Sequence, residues 1–144
     1  MARERKSAPF SMRLSEETDR LITALAKRTK RSKGTVVEAL ALEALKAQLV
    51  PGIAFRGEDY NRRAWVIGTG LDVWQILDAY RDFGEDRERM LAETDLSEPQ
   101  LRIALAYHRR FPEEIEEFIA LNRRPVDELL RDYPHAEATY VDVD

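Results

Sequence analysis

The segment Ala8–Leu14, APFSMRL, constrains this chain more than any other. Phe10, Met12 and Leu14 alternate with Pro9, Ser11 and Arg13, the period of two expected of a half-buried strand. One side is apolar, and the other carries a hydroxyl and a guanidinium. From Ser15 to residue 50 the pattern is helical. Ser15 is placed as an N-cap, with Glu16, Glu17 and Asp19 at the positive end of the helix dipole. Leu21, Ile22, Leu25 and Ala26 make an apolar stripe, which ends in Lys27, Arg28, Lys30 and Arg31. Ser32–Thr35 is the expected connection to a second helix over Val36–Leu49. In that helix Val36, Val37, Leu40, Leu42, Leu45 and Leu49 cover more than one face. About fifty residues are close to the lower limit for folding alone, and a single strand is an open edge on both sides. Two chains that pair their strands antiparallel and interlock their helices remove both problems. The resulting two-stranded ribbon fits the DNA major groove.

Charge separates this segment from the remainder. Residues 1–50 carry 11 Lys/Arg against 6 Asp/Glu, whereas residues 51–144 carry 12 against 21, so halves of +5 and −9 lie inside a net charge of −4. Lysine stops at Lys46, and every later base is arginine. The break falls at Val50-Pro51-Gly52, where proline and glycine punctuate the chain. Such asymmetry implies a different partner for each half. The expected division is a basic arm at 1–7, a DNA-binding and dimerisation domain at 8–50, a hairpin and helical domain at 51–124, and an acidic tail at 125–144.

Residues 8–49 resemble the ribbon-helix-helix repressors of the Arc, MetJ and CopG type. The likeness rests on the alternating strand PFSMRL, the SEE helix start and the second-helix segment RSKGTVVEALALEAL. It implies that Ser11 and Arg13 face base edges; arginine is the commonest reader of guanine O6/N7. Pro9 takes the third outward position, where these proteins usually carry a polar residue. Lys33, Gly34 and Thr35, at the start of the second helix, are expected to anchor a phosphate through their amides. Arg3, Arg5 and Lys6 are expected to add phosphate contacts and salt dependence.

In the acidic half, Ile53-Ala54-Phe55 and Ala64-Trp65-Val66-Ile67 read as two short strands around a polar loop. Val73, Trp74, Ile76, Leu77 and Tyr80 form a helical stripe that stops near Gly84, and Asp86–Thr94 is a short helix. Ser97 and Gln100 have capping-box spacing at the start of a longer helix, with Pro99 in its first turn. Phe111-Pro112 separates it from a last helix, Glu113–Asn122. The fold expected is therefore mainly α with short strands: a ribbon-helix-helix head and a small α domain with a β-hairpin and a helix-turn-helix-like core.

Signals for catalysis are weak. Cysteine is absent, and His108 and His135 are the two histidines. Gly68-Thr69-Gly70 begins a GxGxxG pattern, but Val73 stands at the third glycine position. The carboxylates Glu113, Glu114, Glu116 and Glu117 read as a solvated face near a helix N-terminus. His108 lies on an apolar stripe and reads as packed. We expect no enzyme activity, no catalytic residues, no metal and no cofactor. With neither a secretory h-region nor an apolar run near the about 18 residues of a membrane span, the expected location is the cytoplasm. Arg102, Arg109 and Arg110 share a helix face with Ala106 and admit a second reading, as a recognition helix. The −9 charge of this half opposes it.

A second resemblance is carried by Ile67–Leu77, IGTGLDVWQIL, and Leu96–Tyr107, LSEPQLRIALAY. Residues 52–111 are similar to a small bacterial antitoxin-associated domain of formally unknown function. Members commonly have G-x-P before the second strand and R-I-P after the glycine-threonine; here Arg62-Arg63-Ala64 and Gly70-Leu71-Asp72 stand there. The resemblance implies a partner toxin with a PIN-like, metal-dependent ribonuclease fold. Taken together, the two likenesses imply a VapB-type antitoxin of a type II toxin–antitoxin pair, a homodimer or higher even oligomer that binds its operator and blocks its toxin. Arg123 and Arg124 are the candidate plugs for an acidic metal site. Tyr133 and Tyr140, in a tail that also holds Val126, Leu129, Leu130 and Val141, are candidate docking residues. The alternative is a stand-alone ribbon-helix-helix repressor whose C-terminal half senses a ligand or drives oligomerisation. A weaker reading is an adaptor that uses its N-terminal half only to dimerise.

Overall fold

The computed structural model describes residues 7–123, which hold six helices and one two-stranded antiparallel sheet. The chain is mainly helical. It divides into two compact units between Ala44 and Leu45, inside the second helix.

In the N-terminal unit, α1 runs Glu16–Thr29 and α2 runs Lys33–Leu49. Ser15 caps α1 as expected, accepting from the Thr18 amide at 3.2 Å, and Glu16, Glu17 and Asp19 occupy the first turn. Lys30 ends α1 in the left-handed conformation at φ 55°, and the Arg31 amide returns to Ala26 O at 3.0 Å. The second helix begins three residues earlier than its apolar pattern suggests. Ser32 Oγ accepts from the Thr35 amide at 3.2 Å, so Lys33, Gly34 and Thr35 form its first turn rather than a connection. Ala8–Leu14 is neither helical nor paired within this single chain.

The core of this unit is small. Ile22, Ala26 and Val36 are buried, with Leu14, Leu25 and Val37 packed against them. By contrast Phe10 is 82% exposed and Met12 60%. Along α2, Leu40, Leu42, Leu45 and Leu49 are all exposed, and Val36 is the helix's one buried residue. Among the described residues this 17-residue, leucine-rich helix therefore buries little of its apolar surface.

The second unit has a conventional core. Strands β1 (Ile53–Arg56) and β2 (Arg63–Val66) pair antiparallel, Ile53 opposite Val66 and Arg56 opposite Arg63. Gly57, at φ 108°, opens the hairpin loop where an added Cβ would lie 2.4 Å from Asn61 O. Helix α3 (Val73–Asp82) comes after a turn through Gly68 and Gly70, both at positive φ. Helix α4 (Arg87–Glu93) is capped by Asp86, and α5 (Glu98–Arg110) by Ser97. The expected capping box is present at α5: Ser97 Oγ accepts from the Gln100 amide, and Gln100 Oε1 accepts from the Ser97 amide at 2.9 Å. Helix α6 (Pro112–Asn122) starts one residue before expectation, with Pro112 in its first turn, where the missing N–H costs nothing. Val66, Val73, Ile76, Leu101, Ala104 and Tyr107 are completely buried at the centre of this unit.

Candidate functional site

The residues expected to contact DNA fall into two groups. Ser11 and Arg13 are exposed, as are Lys33, Gly34 and Thr35. Lys33 is not a free cation, because its Nζ is ion-paired with Asp19 of α1. The Thr35 amide is already bonded to Ser32 Oγ, so the amides left at this helix start for an anion are those of Lys33 and Gly34. Arg5 and Lys6 lie outside the described residues, as do Arg124, Tyr133 and Tyr140.

The second unit contains a polar cluster that sequence reasoning missed. The Asp72 side chain is 5% exposed and accepts from Arg56 Nε at 2.8 Å, Arg63 Nε at 2.7 Å and Trp74 Nε1 at 3.2 Å. Gln75 Oε1 reaches back to the Asp72 amide at 2.9 Å. Arg56 also donates to Gly70 O at 2.8 Å and lies over the Trp65 ring, 5.0 Å from its centroid. One carboxylate thereby ties both hairpin strands to the start of α3. The facing positions 56 and 63 of the β-ladder bring the two guanidiniums together, and Asp72 offsets their mutual repulsion while favouring the helix dipole. The available sequence signal was an acid at an N-cap position beside two outlying arginines, which any exposed loop also shows.

The acidic run of α6 is less solvated than expected. Glu116 accepts from both guanidinium nitrogens of Arg81, one of them at 3.0 Å, and lies 2.9 Å from His108 Nε2. Glu114 accepts from Lys46 Nζ at 3.0 Å, and the same ammonium sits 4.7 Å from the Phe111 ring centroid. These links staple α3, α5, α6 and the last turn of α2. His108 is a part-buried member of such a staple, packed as expected. Among the described residues no group of acids and histidines could hold a metal ion.

The Arg81 hydrogen bonds, and after them that of His108, hold the Glu116 carboxyl down to about 2. A carboxylate depressed in the folded state contributes stability above its unfolded pKa of about 4.3, and that contribution is lost as pH falls toward 2. Glu116 is nearly half exposed, so the effect is modest. Between pH 5 and 2 the urea midpoint of the native chain should fall more steeply than that of Glu116→Gln, which is the comparison to measure.

At the end of α6, Arg123 Nε donates to Asp78 Oδ1 at 2.7 Å, and Nη2 is ion-paired with Asp78 and with Asp82 at 3.3 Å. The guanidinium nominated as a plug is therefore already held by two carboxylates of its own chain. Arg102 is likewise paired, with Glu98, whereas Arg109 and Arg110 are exposed. Two of the clefts on the surface of this unit bear on the residues described above. One, of about 330 Å³, has Ile76, Met90 and Leu96 in its lining together with Thr69, Asp95 and Gln100. The other, of about 280 Å³, lies between the Arg63–Asp72 pair and Phe118, Leu121 and Asn122.

Set against known protein families, curated proteins and solved structures, the chain matches none. Among the described residues no helix is long and apolar enough to cross a membrane.

Proposed function

We propose that this chain is the antitoxin of a type II toxin–antitoxin pair. Two copies join through Phe10, Met12 and the leucine face of α2 to make a ribbon that reads an operator with Ser11 and Arg13. The second unit and the segment beyond it bind and block a PIN-like ribonuclease toxin. The observation that supports this reading best is the mismatch in the N-terminal unit. Its buried core is three residues, while Phe10, Met12, Leu40 and Leu42 are left exposed alongside Ser11 and Arg13, and Leu45 and Leu49 continue the exposed leucines to the end of α2. Exposed apolar area of that kind marks an interface. The +5 charge of residues 1–50 suits phosphate, and the −9 charge of the remainder suits a different partner.

Arg13→Ala tests the DNA half. Loss of a bidentate base reader should cost about 1–3 kcal/mol of discrimination between operator and a scrambled duplex, measured by fluorescence anisotropy at fixed salt. Unchanged affinity and preference would remove the ribbon from the reading. The toxin half is tested by co-purification with the product of the neighbouring gene, expected at near-stoichiometric yield.

The 330 Å³ cleft favours the alternative, a stand-alone repressor with a ligand-sensing second unit, because its volume and apolar lining suit a small molecule. That reading takes over if no protein co-purifies and operator affinity responds to a small-molecule fraction.

A further inference from the structure

We infer that Asp78 and Asp82 form an internal latch that withholds Arg123 from carboxylates outside the chain. The latch takes its regulatory meaning from the antitoxin reading, in which a partner's acidic site competes for this guanidinium, but it can be tested without a partner.

The geometry is that of a built receptor for a guanidinium. Asp78 and Asp82 stand four residues apart on α3, and so on one face of it. Arg123 lies immediately beyond the last residue of α6, at φ −100° and ψ 5°, with its amide bonded back to Ile119 O at 3.0 Å. Its side chain crosses to α3 and engages one carboxylate through two nitrogens and the second through one. Asp78 is mostly covered, while Asp82 and the guanidinium are more than half exposed. An outside carboxylate can therefore reach Arg123, but must displace Asp78 and Asp82 to take its Nε–Nη2 edge. Arg81, the next base on α3, gives its hydrogen bonds to Glu116 and adds only charge attraction to Asp78, so Arg123 is the base that hydrogen-bonds both aspartates. Arg123 consequently serves as a gated contact: an acidic partner takes its Nε–Nη2 edge bidentately only by opening the α3–α6 clasp.

Trypsin supplies the outside carboxylate, since its specificity pocket binds arginine through a buried aspartate. The bond after Arg123 leads into Arg124 and is cleavable, whereas the bond after Arg124 precedes Pro125 and is not. Cleavage after Arg123 in the full chain, monitored by mass spectrometry, should be about fivefold faster in Asp78→Asn/Asp82→Asn than in the native chain, the size expected of an exposed two-carboxylate network. In the native chain the same cleavage should accelerate as salt rises from about 0.05 to 0.5 M, because partly exposed pairs are screened. Thermal melts of both proteins guard against general unfolding, and the salt series stands even if the double variant folds poorly. Equal cleavage rates in well-folded native and double-variant chains, or a native rate indifferent to salt, would overturn the latch. Neither outcome touches the antitoxin reading, which fails instead on operator binding or toxin co-purification.

Discussion

Asp72→Ala should destabilise the second unit by about 3 kcal/mol, the largest single effect expected outside the apolar core. Removing one partner of a buried ion pair typically costs about 3–5 kcal/mol, because the charges left behind have no counter-ion. Here two guanidiniums lose their shared carboxylate, and Trp74 Nε1 loses its acceptor. Arg56 and Arg63 are each about one-third exposed and can regain some water, which places the cost at the low end of that range. The chain's two tryptophans, Trp65 and Trp74, both belong to this cluster, so urea unfolding monitored by their fluorescence reads the right unit. Asp72→Asn, which keeps the shape and removes the charge, should cost less. If Asp72→Ala leaves the midpoint unchanged, the cluster contributes no net stability and the hairpin is held by Ile53, Ala64 and Val66 alone.

Met12→Glu should abolish the dimer and, with it, operator binding. In the proposed ribbon residue 12 of each copy would face the helices, so the substitution would place two carboxylates in one apolar interior. Burial of an unpaired charge costs several kcal/mol per ion, more than a small dimer interface can absorb. Sedimentation equilibrium should show a monomer at concentrations where the native chain forms the proposed dimer, while circular dichroism of α3–α6 stays largely intact because that unit has its own core. An unchanged dimer would place Met12 outside the interface and leave the exposed leucines of α2 to act alone. Arg13→Ser, on the opposite side of the proposed ribbon strand, should weaken the proposed DNA binding without altering the oligomer, which separates the two faces.

The elements that were legible in the sequence are those specified by local chemistry. Ser15, Asp86 and Ser97 accept from the amides three residues on, and helices begin directly after each. The strands either side of Gly57 and the helix end near Gly84 also fall close to their expected places, because glycine at positive φ marks a turn by its own conformational freedom. The start of α2 was misplaced because the apolar pattern begins at Val36, whereas the cap that starts the helix is Ser32. The ion-pair network was not legible at all. Arg56 and Arg63 meet because of the hairpin register, Arg81 and His108 meet Glu116 because α3, α5 and α6 pack together, and Arg123 reaches Asp78 across a gap of 45 residues.

By itself the sequence determined which segments are helical, where they are capped, how charge divides between the halves, and that the first fifty residues carry more apolar surface than they can bury. Those properties depend on residues a few positions apart. Tertiary structure alone decided which charges pair, that Asp72 is buried, and that Arg123 is held by its own chain. Ion pairs over such separations depend on packing angles and strand register, which arise only when the whole unit has closed around its core.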